Sequence, residues 1–301
     1  MNMPKRAGGV LGPVPDLLLH FDDEAALAES LAAALGVATA AVARHRFPDG
    51  ECRLTMPASL PEHVVLLRGL HVPNEKLAML MLLAPALREA GVRRLVLVAP
   101  YLAYMRQDIA FHPGEVVSQR QVGRALAAWF DGVVTIDPHL HRVASMHEVI
   151  SGRPAAAPSA AQAIGAYVAQ RVPEALLLGP DEESARWVGA AAAQAGLAHG
   201  VCRKVRRGDL DVDVALPPDL DLRDRAGGPV GDGARRGRTL AVAARAALAA
   251  GASHVDVAVT HALFVGDALA ELEVAGVRHV WSSDSVPHES NVIPTAPLLA
   301  D

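Results

Sequence analysis

The sequence predicts an α/β protein with two domains, each a mostly parallel β-sheet flanked by helices. Short apolar runs, typical of buried strands, alternate with Ala-rich stretches that carry helix start and stop residues. The alternation restarts after a small-residue, Pro-containing connection at residues 151–160. With 301 residues, of which 51% are hydrophobic, the chain is long enough for two cores. We therefore predict a first domain over residues 1–148 and a second over residues 149–301.

The first half of the chain predicts strands that alternate with helices. The strands are expected at residues 16–21, 63–70, 93–100 and 133–139. The helices are expected at residues 24–36, 74–91 and 117–132. Gly36 and Gly91 are typical helix stops, and Asn74 is a typical helix start.

The second half repeats the pattern. Strands are expected at residues 174–181 and 254–260, and helices at residues 182–196, 239–252 and 260–276. The alternation of strand and helix in both halves indicates parallel sheets covered on both faces. Ligands of such sheets bind beyond the carboxyl ends of the strands, so the residues after each strand are the candidate site residues.

Composition narrows the function classes. The net charge of −5 and the pI of about 6.2 do not favour nucleic acid as a partner. The two cysteines, Cys52 and Cys202, have no metal-ligand spacing, which fits a reducing compartment. The longest Ala/Leu-rich run is too short to span a bilayer, and the first fifteen residues lack the apolar core of a signal peptide. We expect a cytoplasmic protein without a membrane partner.

Polar residues follow the third strand in "YLAYMRQDIAFHPGE". The planar guanidinium of Arg106 suits a phosphate, because it can bond two oxygens at once. A surface ion pair between Arg106 and Asp108 is an equally good interpretation of this tripeptide alone.

The fourth strand is followed by "DPHLHR". Asp137 and His139 are two residues apart, so on an extended backbone they point the same way and could hold a Mg²⁺–nucleotide unit. In the alternative interpretation, Asp137 caps a helix or a turn and the histidine is half-buried. This motif by itself favours the alternative.

Three further stretches carry candidate residues. "RFPDGE" reads as a hairpin turn, from which Asp49 and Glu51 could instead reach a neighbouring subunit. Asp181, in "GPD", could cap the following helix or hold a metal at the strand end. "CRKVRRGD" is either a solvated basic run or a loop that neutralises phosphoryl charge in a transition state.

Together these stretches resemble the phosphoribosyl pyrophosphate synthetases, also called ribose-phosphate diphosphokinases. The resemblance runs from Leu17 to Pro287 and rests on the order and spacing of "RFPDGE", "PYLAYMRQD", "FHPGE", "TIDPHLHR", "GPD", "KVRRGD" and "GASHVDVAVTHALF". The form of the "RQD" and "FHPGE" motifs is similar to that of archaeal-type and divergent bacterial members.

The resemblance implies two phosphoribosyltransferase-like domains, a homo-oligomer, and Mg²⁺-dependent transfer of the diphosphoryl group of ATP to the 1-hydroxyl of ribose 5-phosphate. It assigns ATP binding to Phe47, Asp49, Glu51, Arg106, Gln107, Asp108 and His139, with the first three reaching across a subunit interface. It assigns the metal to Asp137, His139 and Asp181, and catalysis to Lys204 and Arg206. Ribose 5-phosphate would bind to Asp181, Asp232, Arg236, Gly237 and Thr239.

The expected ribose-5-phosphate loop, residues 231–239, departs from the family pattern. Gly231 replaces an acidic residue, and Arg235 and Arg236 replace a pair of small hydroxyl residues. The preceding stretch, "RAGGPV", has such poor β propensity that the strand before the loop is expected to be missing. The first hypothesis is an active diphosphokinase. The alternative is a catalytically impaired homologue that binds nucleotide and serves in assembly or regulation, and a phosphoribosyltransferase fits the motifs less well.

Overall fold

The computed structural model describes residues 9–140, 142–206, 212–217, 220–234 and 237–301, of which residues 204–206, 212–213, 229 and 232–234 are described by their backbone alone. The chain forms two compact units. One runs to Pro158 and takes in Thr295–Asp301, and the other is Ser159–Pro294. The predicted boundary at residue 148 lies before this division, because a short strand after it still pairs with the first sheet.

Unit 1 is a parallel sheet with an antiparallel edge. Its strands are β1 (Leu17–Phe21), β2 (Ala38–Arg46), β3 (Cys52–Thr55), β4 (His63–Leu67), β5 (Arg94–Ala99), β6 (Gly132–Thr135) and β7 (Ala155–Ala156). Its helices are α1 (Ala25–Leu35), α2 (Pro73–Glu89), α3 (Ser118–Trp129) and α4 (Met146–Val149). The described strands are ordered β3-β2-β1-β4-β5-β6-β7, and only the β2–β3 pair among them is antiparallel. Strands β4 and β5 are apolar and almost wholly buried, as expected when helices cover both faces.

Unit 2 has the same layered construction. Its strands are β8 (Leu176–Gly179), β9 (Ala198–Val201), β10 (Arg203–Arg206), β11 (Val212–Ala215), β12 (Ala226–Ala234), β13 (His254–Ala262), β14 (Val277–Ser283) and β15 (Asn291–Ile293). Its helices are α5 (Ala161–Arg171), α6 (Ala185–Ala195), α7 (Arg238–Ala249) and α8 (Ala268–Val274), and α9 (Ala296–Ala300) returns to unit 1. The described main sheet is parallel and ordered β15-β14-β13-β12-β8-β9, whereas β10 and β11 form a separate antiparallel pair. The predicted fold class is confirmed.

Strand β12 corrects the expectation that the strand before the loop is missing. It lies between β13 and β8 in the middle of the sheet. A Cβ added to Gly228 would lie 1.8 Å from the carbonyl oxygen of Asp256, so only glycine lets β12 and β13 approach this closely. Pro229 pairs with β8, and the register with β13 passes from Gly227 to Val230. The two neighbouring strands therefore impose a conformation that local propensity does not predict.

The predicted helix at residues 260–276 begins too early. Residues up to Ala262 belong to β13, and α8 begins only at Ala268. The strand is longer than its sequence pattern suggests because it pairs with β12 as far as Ala262. No helix in the described ranges is long and apolar enough to cross a membrane.

Candidate active site

The strand order of unit 2 brings two of the predicted site segments together. Strands β8 and β12 are parallel neighbours, although β9, β10 and β11 intervene in the chain. The connections leave these two strands in opposite directions across the sheet, which makes their carboxyl ends a topological switch point, where α/β sheets bind ligands. Asp181 follows β8 here, residues 231–234 complete β12, and Gly237 precedes α7.

Asp181 is held in place by the turn that it begins. Its carboxylate accepts a hydrogen bond of 3.3 Å from the backbone N–H of Ser184, so it caps the turn before α6. Gly179, two residues earlier, packs so closely that an added Cβ would meet the Ser184 hydroxyl oxygen at 2.4 Å. Burial, together with the charge of Asp181, raises the pKa of the neighbouring Cys202 thiol to about 11. The thiol is therefore neutral near pH 7.

Gly237 shapes the turn from β12 into α7. It is the N-cap residue, with a φ of 68°, and an added Cβ would lie 2.7 Å from the carbonyl oxygen of Ala268. Thr239 follows half-buried in the first turn of α7, where unpaired backbone N–H groups favour anions. The backbone of Asp232 belongs to β12, while its side chain and the whole of Arg236 lie outside the described residues.

Gly231 is the position where the family pattern has a carboxylate. A Cβ built there would meet a single neighbour within 4 Å, the Cγ atom of Pro180 at 3.9 Å, among the atoms that the structure describes. The site therefore has room for a side chain, and the departure is chemical rather than steric. Pro180 precedes Asp181, so the position open at Gly231 faces the segment that follows β8.

The predicted catalytic residues Lys204 and Arg206 lie in β10. Their backbones pair with Val214 and Val212 of β11 in an antiparallel ribbon. The side chains of Lys204 and Arg206 are outside the described part of the chain.

In unit 1, Arg106, Gln107 and Asp108 lie in the loop after β5. Arg106 is exposed, whereas Asp108 is buried and its Oδ1 atom accepts a 2.8 Å bond from Arg142. Asp108 pairs with Arg142 and not with Arg106, contrary to the surface-pair interpretation. The guanidinium of Arg142 also lies 5.7 Å from the ring centre of Phe111. Asp108 thus ties the loop after β5 to the segment after β6.

Asp137 has an unusual backbone conformation after β6. Its φ is 36°, which is rare for a residue other than glycine, and its N–H donates to the carbonyl of Pro158 at 3.2 Å. Such strain is concentrated at functional sites. Asp137 and His139 are both half-buried. Strands β5 and β6 are parallel neighbours, so these two residues and the loop after β5 lie at the same edge of the sheet.

The predicted nucleotide residues Phe47, Asp49 and Glu51 form the turn between β2 and β3. The backbone N–H of Phe47 donates to the carbonyl of Glu51 at 2.8 Å, and Asp49 accepts a bond from the N–H of Glu51 at 3.1 Å. The three side chains are exposed. The hairpin turn predicted for this stretch is therefore present, and the side chains project into solvent.

The described residues contain no group of three His, Cys, Asp or Glu side chains placed to hold a metal ion. Mg²⁺ does not require one, since it is often bound by one or two carboxylates together with substrate phosphates. The carboxylates of Asp137 and Asp181 fit that requirement, each at the end of a buried strand. His139 offers nitrogen, which Mg²⁺ accepts poorly.

Comparisons with known proteins identify the family. A model described as the N-terminal domain of ribose phosphate pyrophosphokinase matches residues 17–129. The ribose-phosphate pyrophosphokinase of Methanopyrus kandleri is 32% identical over 288 residues, which cover 95% of this chain and 97% of that protein. The chain belongs to the ribose-phosphate pyrophosphokinase family. A second relative of that name, from Halobacterium salinarum, is 32% identical over 95% of this chain and 99% of its own.

A phosphoribosylpyrophosphate synthetase structure from Mycobacterium smegmatis has a TM-score of 0.80, at 22% identity, over 95% of this chain and 96% of that one. This likeness confirms the fold. Family and enzyme class were both predicted correctly, and the matched relatives named above are archaeal.

Sequence reasoning missed Arg142, although it is the last residue of the motif "DPHLHR". A cation that follows a strand-end carboxylate is a usable signal, but its partner, Asp108, is 34 residues away in the chain. Two buried networks were missed as well, one around Arg68 in unit 1 and one around His261 in unit 2.

Proposed function

We propose that this member of the family transfers the diphosphoryl group of Mg²⁺-bound ATP to ribose 5-phosphate. In this reaction the 1-hydroxyl oxygen of the sugar attacks the β-phosphorus of ATP. The bond between that phosphorus and the oxygen shared with the α-phosphate breaks, AMP leaves with the oxygen, and the hydroxyl proton is released. The products are phosphoribosyl pyrophosphate and AMP.

The proposal rests on one observation. At the switch point of unit 2, Asp181 follows β8 next to the carboxyl end of β12. We assign ribose 5-phosphate to this edge, with its phosphate at Gly237 and Thr239, where the first turn of α7 presents backbone N–H groups. Asp232 and Arg236 complete the proposed set. Asp181 is assigned to the sugar or to the metal.

The nucleotide is assigned to unit 1. Arg106 and Gln107 follow β5 and would bind phosphate, while Asp108 would hold the loop through Arg142. Asp137 would hold Mg²⁺, which when bound neutralises phosphate charge, and His139 would bind the nucleotide beside it. Phe47, Asp49 and Glu51, exposed on their turn, would reach the adenine of a neighbouring subunit in a homo-oligomer.

Lys204 and Arg206 are proposed to stabilise the charge that develops on the transferred group. Phosphoryl transfer depends on positioning and charge neutralisation, so two cations on one strand suit it. The proposed setting is cytoplasmic, in line with the predicted reducing compartment.

The test is AMP formation by the wild-type protein with ATP, ribose 5-phosphate and Mg²⁺. Lys204→Ala should lower kcat by about 10²–10³-fold and leave the Kd of ATP unchanged, because its cation acts in the transition state. Arg203→Ala is the matched control, since this exposed neighbour in β10 has no assigned role. Equal losses of kcat in both variants would contradict the assignment.

The alternative of an impaired regulatory homologue is favoured by one observation: the loop at residues 231–239 has glycine at 231 where the family pattern has a carboxylate, and arginines at 235 and 236 where it has hydroxyl residues. It predicts ATP binding without AMP formation at any concentration of ribose 5-phosphate. Under this alternative, the combined variant Gly231→Asp, Arg235→Ser and Arg236→Thr should gain activity. Among the atoms that the structure describes, a Cβ at Gly231 meets no neighbour closer than 3.9 Å.

A further inference from the structure

A buried polar cluster lies beside the carboxyl end of β12, and none of its residues has a role in the proposed function. It consists of Thr260 and His261 in β13, Ser283 at the end of β14, and Ser285 just beyond it, all at most 5% exposed. The hydroxyls of Ser283 and Ser285 lie 2.6 Å and 2.9 Å from the carbonyl oxygen of Thr260. The Nδ1 atom of His261 lies 2.8 Å from the Ser285 hydroxyl. We call these four residues the serine–histidine cluster.

Proton counting fixes the ring nitrogen that carries hydrogen. Each serine hydroxyl has one proton, and both hydroxyls lie within bonding distance of the Thr260 carbonyl. The two hydroxyl oxygens also lie 2.9 Å apart, so the cluster has three close oxygen–oxygen contacts and only two hydroxyl protons. If Ser285 donated to His261 instead, two of these three contacts would lack a proton. Ser285 therefore donates to Thr260 and accepts from the Nδ1–H of His261, which orients the ring.

The serine–histidine cluster holds β13 at the point where the backbone pairing between β13 and β14 ends. The register of the two strands runs no further than Val259 and Ser282. Beyond that pair, the hydroxyls of Ser283 and Ser285 replace the backbone of β14 as hydrogen-bond donors to β13, at the Thr260 carbonyl. The end of β13 is thus held by side chains, and His261 is the next residue along.

Strand β12 pairs with the part of β13 that the cluster contacts. It contains four glycines and a proline, so its own side chains restrict the backbone little. Near its carboxyl end, Gly233 pairs with His261 and Ala234 pairs with Ala262. Both pairs are adjacent to the residues that the serine–histidine cluster fastens.

We propose that the serine–histidine cluster positions the carboxyl end of β12, and with it the segment that receives the phosphosugar. This inference rests on the proposed function, since it assigns ribose 5-phosphate to that segment. His261 and Ser285 are positioning residues, because they act through the backbone of β12. Loss of the cluster weakens binding of ribose 5-phosphate and leaves ATP binding unchanged.

The test is calorimetric titration of the full-length protein with ribose 5-phosphate and, separately, with ATP. Ser285→Ala should raise the Kd of ribose 5-phosphate about tenfold, as expected for loss of the hydrogen bonds of one buried hydroxyl. Ser285→Thr, which keeps the hydroxyl, should restore it. His261→Asn gives a second route if Ser285→Ala does not fold.

Ser290→Ala is the matched control. Its hydroxyl bonds Ser282 at 2.7 Å and His288 at 2.8 Å, in the part of the sheet next to β15 and away from β12. It should lose comparable thermal stability without a change in the Kd of ribose 5-phosphate. If Ser285→Ala and Ser290→Ala both raise the Kd of ribose 5-phosphate and the Kd of ATP to the same extent, the cluster has only a structural role and the proposal is overturned.

AMP release by the wild type, measured in parallel, separates this inference from the function. AMP release with an unchanged Kd in Ser285→Ala and His261→Asn overturns the inference alone. No AMP release, but a selective loss of ribose 5-phosphate affinity in these variants, supports the inference and overturns the function. Absence of ribose 5-phosphate binding to the wild type overturns both.

Discussion

The two units place different chemistry at the same point of their sheets. The switch point of unit 1 lies between β1 and β4, and that of unit 2 between β8 and β12. In unit 1 the strand ends carry large charged side chains that bind one another. In unit 2 they carry Asp181 and a glycine-containing turn.

The network of unit 1 is centred on Arg68, which has no exposed surface. Its Nη1 atom lies 2.5 Å from Asp23 and 3.1 Å from Glu24, and its guanidinium carbon is 4.2 Å from the ring centre of Phe21. Lys76 adds a 2.9 Å bond to the carbonyl of Gly69, which follows Arg68.

Charge balance explains why this network can stay buried. Burial would raise the pKa of Asp23, but the charges of Arg68 and Lys76 outweigh it and the pKa is lowered. For Glu24 burial prevails and raises the pKa. Burial, with the charge of Arg68, lowers the pKa of Lys76 to about 8. The charged side chains of the network bind one another, so the switch point of unit 1 serves stability, whereas the switch point of unit 2 is left to a ligand.

The largest effect is expected from Arg68→Met. Removal of the guanidinium leaves Asp23 and Glu24 without their main partner, and a broken buried ion pair costs about 3–5 kcal/mol of unfolding free energy. Denaturant titration measures the loss. Arg93→Met, which removes an exposed partner of Glu62, should have little effect, because exposed pairs contribute little. Equal effects of the two substitutions would contradict a structural role for the switch point of unit 1.

A smaller effect is expected within β12. Gly228→Ala forces a methyl group against the Asp256 carbonyl and should lower the unfolding free energy by about 1–3 kcal/mol. Gly231→Ala adds the same atoms to open space and should change it little. Thermal denaturation of the two variants measures this difference. An unchanged stability of Gly228→Ala would show that β12 and β13 do not approach as closely as described.

The smallest effect concerns pH. Because the pKa of Lys76 is about 8 in the folded protein and 10.5 ordinarily, the unfolded chain binds its proton more tightly between these values. Stability from this group therefore rises with pH across that window, by on the order of 1 kcal/mol between pH 8 and 9. The wild type should gain this much relative to Lys76→Met in denaturant titrations at the two pH values. A constant difference would mean that Lys76 is not buried as described.

Periodicity and turn residues were enough to predict most of unit 1, because β4 and β5 are continuous apolar runs and glycines follow α1 and α2. The same rules failed at β12, since its glycines and proline are accommodated by the neighbouring strands and not by local propensity. They also failed at residues 260–262, where pairing extends β13. The Arg68 network could not be predicted, because its ion-pair partners are 44 and 45 residues from it in the chain.

The sequence identified the candidate site residues only by their position after the ends of strands. Asp137 and Asp181 each follow a buried strand, and the sequence indicated as much. Which strand ends adjoin depends on the crossover order, and that order places Asp181 beside the turn before α7 in spite of the residues between them. Capping by Asp181 was one of two alternatives from the sequence, and its bond to Ser184 shows that the cap is formed.

The most direct test of the comparison is calorimetric titration of ribose 5-phosphate, with Mg²⁺ present, into the wild type and Asp181→Asn. Asparagine can keep the cap on Ser184, so thermal stability should be retained. The account predicts that the wild type binds and that Asp181→Asn raises the Kd about tenfold or more, as for loss of a charged contact. Equal affinity of the two proteins would contradict the assignment of the unit 2 switch point to the sugar.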